Sequence, residues 1–234
     1  MQMDNEVEVW SHSPDCGIHI KNTPDSFTDR PGVAVLENNL YVCGGRRIGT
    51  NSTIDTCDIY SLTDNVWTDG PNQPFNRTNN DDFDTQFKFW MSTVGSTVVA
   101  AYQGNSYYPD FEPQEYPIST LGEEGWSGPT SLGGSFGEFS FFDMIAMDKK
   151  HVALTGSIQY PPNKTIYIIN VETVTVVTDI SLDFHCYAPF LYNNQYTCVK
   201  EGTDELWSLS FSEDFSEPTW SVVQSLPPGA PDTY

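Results

Sequence analysis

Residues 30–71 are written as two successive hairpins, and this local grammar limits the fold more than any other feature of the chain. The segment reads R-P-G-V-A-V-L-E-N-N-L-Y-V-C-G-G, then a loop, then I-D-T-C-D-I-Y-S-L-T-D-N-V-W-T-D-G-P. A strand over 32–36 turns at Glu37-Asn38-Asn39 into a second strand over 40–43, which stops at Gly44-Gly45. A third strand over 56–61 turns at Thr63-Asp64-Asn65 into a fourth, opened by Trp67. Asn and Asp suit such turns because they tolerate left-handed backbone and bond their own main chain. Four short antiparallel strands per unit is the construction of a propeller blade.

The unit resembles a kelch repeat in its Gly44-Gly45 pair, in Tyr60 and in Trp67 after six intervening residues. The resemblance implies an all-β fold, a kelch-type β-propeller of four-stranded antiparallel blades around an axis. In that reading the glycines let backbone pass where a Cβ would collide, and the aromatics fill the wedge between blades. Weaker copies follow over 89–129, with Tyr116 and Trp126 in the aromatic places, over 141–182, with Val176 or Val177 where Trp is expected, and over 185–227. The Gly-Gly places become Tyr102-Gln103, Gly156-Ser157 and Val199-Lys200. The expected organisation is one domain over 1–234, with a half blade at 5–28 and blades at about 30–72, 86–130, 136–182 and 184–228. Four and a half to five blades do not close a ring, and a larger propeller of which this is a part fits the same pattern.

Composition narrows the partners. Ten Lys and Arg oppose 32 Asp and Glu, for a formal net charge of −22. Nucleic acid and anionic membrane surfaces need clustered bases, so both are excluded, and a charged partner is expected to be basic. No apolar run approaches the roughly 20 residues of a membrane helix, and Met1–Trp10 is acidic, without the apolar stretch of a signal peptide. Oligomeric state is not legible at this level.

Cys43 ends a second strand and Cys57 lies in the third strand of the same blade, so a disulfide between them is expected if their Cα atoms lie within ~7 Å. Cys198 holds the place of Cys43 in its own blade, and Cys186 in the neighbouring strand is its expected partner; Cys16 is left odd. Buried reduced thiols are the alternative. Sequons at Asn51, Asn76 and Asn163 fall in expected loops. Together these favour an extracellular or secreted setting, with the cytoplasm as the alternative.

Chemistry is sparse. His12, His19, His151 and His185 join no nucleophile motif, no Gly-rich loop opens a helix, and no Cys/His cluster has zinc spacing. Kelch-like propellers include oxidases with a copper centre of Tyr, His and a Cys-linked Tyr. No such set is apparent here, and the adjacent His185 and Cys186 would point to opposite faces of a strand. The acidic run 79–84 lacks the spaced pattern of a calcium loop. No catalytic residue, cofactor or metal is therefore expected.

Loop length carries more. In a four-stranded blade the first and third turns share one end, and the second connection and the crossover share the other. The expected short turns, Glu37–Asn39, Thr63–Asn65, Asp148–Lys150 and Asn193–Asn194, all fall on the first end. The long segments 46–53, 68–85, 105–114 and 157–164 all fall on the second. Binding concentrates on long loops of rigid scaffolds. That end carries Arg46, Arg47, Asp81, Asp82, Asp84, Tyr107, Tyr108, Asp110, Phe111 and Tyr160, and Tyr and Arg are enriched at interface hot spots. The expectation is a non-enzymatic protein-binding scaffold. The alternatives are a galactose-oxidase-like or sugar-processing enzyme, or an intracellular kelch adaptor for ubiquitination or the cytoskeleton.

Overall fold

The computed structural model describes residues 7–8, 19–20, 28–29, 31–47, 54, 56–72, 88–103, 117–122, 125–128, 130–132, 139–158, 164–184, 186–203, 205–212 and 215–225. β1 (Val7–Glu8) and β2 (His19–Ile20) form a two-stranded pair. β3 (Thr28–Asp29) leads into the first four-stranded sheet. That sheet contains β4 (Gly32–Leu36) and β5 (Asn39–Cys43); β6 (Arg46–Arg47) then pairs back onto β3, and β7 (Cys57–Ser61) and β8 (Val66–Asp69) complete the sheet. The second sheet is β9 (Lys88–Val94), β10 (Thr97–Gln103), β11 (Pro117–Gly122) and β12 (Gly125–Trp126), with β13 (Thr130–Ser131) paired to the start of β11. The third is β14 (Phe139–Ala146), β15 (His151–Ile158), β16 (Lys164–Asn170) and β17 (Thr175–Leu182). The fourth is β18 (Cys186–Tyr192), β19 (Gln195–Lys200), β20 (Glu205–Ser210) and β21 (Thr219–Ser225). Within each sheet the strands lie in sequence order and pair antiparallel, and no helix occurs among the described residues. The fold is the all-β architecture that the hairpin grammar predicts.

Turn chemistry explains why the strands end where they do. Asn193 and Asn194 both take left-handed backbone, with φ of 50° and 60°, which matches the twist of the strands they join. In the first turn of the first blade it is Glu37, at φ 54°, and not an Asn, that adopts this conformation. Gly44 and Gly45 have φ of 65° and 89°, so backbone conformation is what demands glycine there. In the 147–150 turn, Asp148 Oδ1 accepts the backbone N–H groups of Lys150 and His151 at 2.7 and 2.8 Å, and Oδ2 lies 2.8 Å from His151 Nδ1. Partial burial pushes the Asp148 carboxyl up, but these hydrogen bonds and the His151 ring outweigh it and hold the group below its ordinary value.

The repeat survives as register where it fades as sequence. In the first sheet one cross-strand row runs Val35–Leu40–Tyr60–Trp67. The row at the same distance from the first turn runs Thr93–Val98–Leu121–Trp126 in the second sheet and Ala146–Val152–Ile169–Val176 in the third. In the fourth it runs Leu191–Tyr196–Leu209–Trp220. Trp126, Val176 and Trp220 thus stand where Trp67 stands. Leu121, not Tyr116, fills the third-strand place of the second blade. In the last three blades this row faces the preceding sheet. Val98 and Leu121 pack with Ala34, Cys43 and Cys57; Val152 and Ile169 pack with Val99 and Ile118; Tyr196 and Leu209 pack with Ile166 and Ile168. In the first sheet Tyr60 and Trp67, with ring centroids 5.0 Å apart, face away from the second sheet.

Blade backbones approach one another at their inner strands, β4 to β9, β9 to β14 and β14 to β18, whereas the backbones of β8, β12, β17 and β21 approach no other blade among the described residues. The sheets therefore fan out from a common side, as propeller blades do. Each junction carries one inner-strand or second-strand polar tie. The Thr93 hydroxyl donates to the Val35 carbonyl, the Ala146 N–H donates to Ser92 Oγ at 3.1 Å, and Thr155 Oγ1 lies 2.6 Å from the Tyr196 hydroxyl. Burial drives the Tyr196 phenol pKa well up, the Thr155 hydrogen bond pulls against that, and the Asp143 carboxylate raises it further, so the phenol stays neutral. A buried hydroxyl stripped of its partner costs about 1–3 kcal/mol. Tyr196→Phe is expected to destabilise the protein by about that amount in denaturant titrations, and combining it with Thr155→Val is expected to cost less than the sum of the two.

Candidate binding face

Antiparallel alternation puts the short turns at one end of the blades: 37–38, 62–65, 95–96, 147–150, 171–174 and 193–194. The segment 211–218 is the longer member of that set, and its Phe215 packs edge-on against His151 of the third blade with centroids 4.8 Å apart. The opposite end holds 44–56, 70–87, 104–116 and 127–138, then the shorter 159–163, 183–185 and 201–204. Long connections are thus confined to the first two blades and the crossovers that follow them. The expected long segment 157–164 shrinks to 159–163, because β15 continues to Ile158.

Arg46 and Arg47 sit at this end, in β6 and not in an open loop, with Asp29 opposite Arg46 and Thr28 opposite Arg47. Asp81, Asp82, Asp84, Tyr107, Tyr108, Asp110, Phe111 and Tyr160 lie outside the described residues, as do Asn51, Asn76, Asn163, Cys16, His12 and His185.

Both disulfides pin this end. Cys43 and Cys57 are directly opposite across β5 and β7, with Cα atoms 4.0 Å apart, and their bond closes the base of the 44–56 connection. Gly44 N–H donating to the Thr56 carbonyl and Ile54 N–H donating to the Gly45 carbonyl, each at 3.0 Å, continue that closure. Cys186 and Cys198 are bonded with Cα atoms 5.5 Å apart, diagonally, since Cys186 pairs in register with Lys200. Cys43, Cys57 and Cys198 are buried.

A cluster that the sequence reading missed lies beside the second disulfide. The Lys200 ammonium sits 4.2 Å from the Trp207 ring centroid and 5.0 Å from that of Phe184. Phe184 packs edge-on against Trp220, and Trp207 Nε1 donates to Glu205 Oε2 at 2.9 Å. Register was the missing signal: only pairing of Cys198 with Trp207 brings Lys200 and Trp207 to one face. The rings hold the Lys200 ammonium at the end of β19.

Asp58 and Asp69 face each other across β7 and β8. Burial first, and the Asp69 charge second, raise the Asp58 carboxyl above its ordinary 3.8. Asp58 therefore binds its proton more tightly folded than unfolded, so the pair weakens the fold above the carboxylate range and the penalty fades as pH falls. Like charges directly opposite in a sheet cost about 0.2–1 kcal/mol. Asp69→Asn is expected to raise stability by a few tenths of a kcal/mol at pH 7, with the gain gone in melts below the ordinary aspartate value.

Comparison with known proteins agrees with this geometry. The family model described as the Kelch motif matches residues 29–74, which is the first blade with its glycine pair, Tyr60 and Trp67. Residues 29–74 carry a kelch motif. Kelch-like protein 23 from Homo sapiens and from Pongo abelii is each 33% identical to the chain over 66 residues, 28% of its length. The chain spans only 12% of the length of those relatives. The solved structure of YjhT superposes with a TM-score of 0.53 at 10% identity, covering 90% of this chain and 71% of that one. At that identity the likeness concerns the fold alone.

Proposed function

We propose that this kelch propeller is a non-catalytic scaffold that binds a protein partner through the end carrying the second connections and crossovers. The observation behind this reading is the asymmetry of chain length. The segments 44–56, 70–87, 104–116 and 127–138 all leave from one end, while most turns at the other span two to four residues. The first of these connections starts from a rigid base, because the Cys43–Cys57 bond and the backbone hydrogen bonds beside it hold both its ends. Preorganised loops lose less entropy when a partner docks.

Partner chemistry follows from charge. A chain of net charge −22 attracts basic surfaces and repels acidic ones at long range, so association should be faster at low ionic strength. Tyr107, Tyr108 and Phe111 offer the rigid aromatic area that interface centres favour. Replacing all three by Ala is expected to lose the proteins that the wild-type chain retains in affinity capture, whereas Asn193→Ala with Asn194→Ala at the opposite end is expected to keep them. Equal capture by the two variants defeats this face as the binding site.

The setting we propose is an oxidising, extracellular one, on the strength of the two disulfides. Four of the five cysteines are then bonded, so thiol titration of native, unreduced protein should give one free thiol per chain. Five would return the chain to a reducing compartment and favour the intracellular adaptor.

A further inference from the structure

Each of the four blades ends on an outer strand whose far side is a sheet edge, and three of these edges are blunted. β8 is four residues long and ends on Asp69, β12 is two residues long, and β17 carries Asp179 in its second half. Short strands and charges are ordinary means by which an edge avoids pairing with another chain. β21 has neither. Its seven residues read T-W-S-V-V-Q-S, with no charge and no proline, in a chain where 18% of residues are charged. Thr, Trp and Val are also residues that favour strand pairing.

The edge is open as well as uncharged. Among the described residues β21 pairs with β20 and with no other strand, so its far side presents a row of unpaired backbone N–H and C=O groups. Ser221 to Ser225 are exposed without a break, Val222 and Val223 at 48% and 43%. The one irregularity is a bulge that leaves Val223 without a partner in β20, as a similar bulge leaves Val177 of β17. Thr219 to Val222 keep unbroken register with β20, and that stretch can template a further strand.

The absence of charge selects the occupant. When two identical strands pair antiparallel, a charge in the strand lies opposite or close to its own copy, and like charges across a sheet repel. Asp69 and Asp179 place β8 and β17 under that penalty, and β21 escapes it. A partner recruited by the net charge of −22 would be basic and would need carboxylates along the edge to fix its register, and β21 offers none. We propose that two copies of this chain associate through β21, edge to edge and antiparallel, so that their fourth sheets join into one continuous sheet across a twofold axis. The contact is isologous and closes at two copies. It uses the outer rim of the fourth blade and does not rest on the long connections as a binding site. Because each copy carries a charge of −22, added salt strengthens the association by screening their repulsion.

Sedimentation velocity and hydrogen exchange of the full chain test this over a concentration series at low and high salt. The expected result is a species of about twice 26.2 kDa, more populated at high salt. Amides within 219–225 should exchange more slowly as concentration rises, while those of β8 and β17 do not change. Val222→Asp and Val222→Lys, each with an unchanged circular dichroism spectrum, should each self-associate at least about tenfold more weakly. An equimolar mixture of the two should recover the association, since opposite charges then meet across the new pair. Should either variant fail to fold, the concentration-dependent protection of 219–225 in the wild-type chain still decides. A monomer at every concentration overturns the proposal, even one whose β21 amides an added basic peptide protects. So does growth beyond two copies, a dimer whose 219–225 amides exchange as in the monomer, or a dimer that both substitutions leave intact.

Discussion

Everything in this fold depends on covering both faces of a thin sheet. Alone, a four-stranded sheet buries little, because its two faces are open to water and only its middle strands have hydrogen-bonding neighbours on both sides. Stacking the sheets face to face removes the apolar rows from water and makes three continuous cores. The tapering arrangement follows from where the contacts lie. Backbones come together across blades at the inner strands, and the outer strands reach their neighbours through side chains, so small residues such as Ala34, Ala100 and Ala153 are buried close to the junctions while Trp67, Trp126 and Trp220 occupy the outermost strands.

That constraint also shapes the two ends of the molecule. Short turns at one end keep adjacent strands in register, and backbone conformation there is demanding enough to set Asn193, Asn194, Glu37 and Gly95 in left-handed geometry. A Cβ on Gly95 would come within 2.9 Å of the Lys149 carbonyl in the neighbouring blade, so this end is packed turn on turn. At the other end, covalent and cation–aromatic ties add to the strand pairing. The Cys43–Cys57 bond anchors the first blade, and the Cys186–Cys198 bond with the Lys200 cluster anchors the fourth.

Legibility differed between fold and site. The first blade could be read strand by strand, since its turns, its glycine pair and its Tyr60 and Trp67 are all local signals. The later blades lose the aromatic in the third strand, Leu121, Ile169 and Leu209 standing in its place, because any apolar side chain of fitting volume fills a sheet–sheet row. The Lys200, Phe184 and Trp207 cluster was invisible, since it joins a crossover to two strands and depends on a register that no local pattern states.

The sequence by itself determined the class of fold, the hairpin rhythm, the excess of negative charge and the end of the blades that carries long connections. These are short-range properties, set by turn chemistry, by side-chain alternation and by counting charges. Tertiary structure alone decided which residues face which blade, and that Tyr60 and Trp67 look away from the second sheet. The physical reason is that a strand's alternation says only that it has two faces. Which neighbour each face meets is fixed by how whole sheets stack.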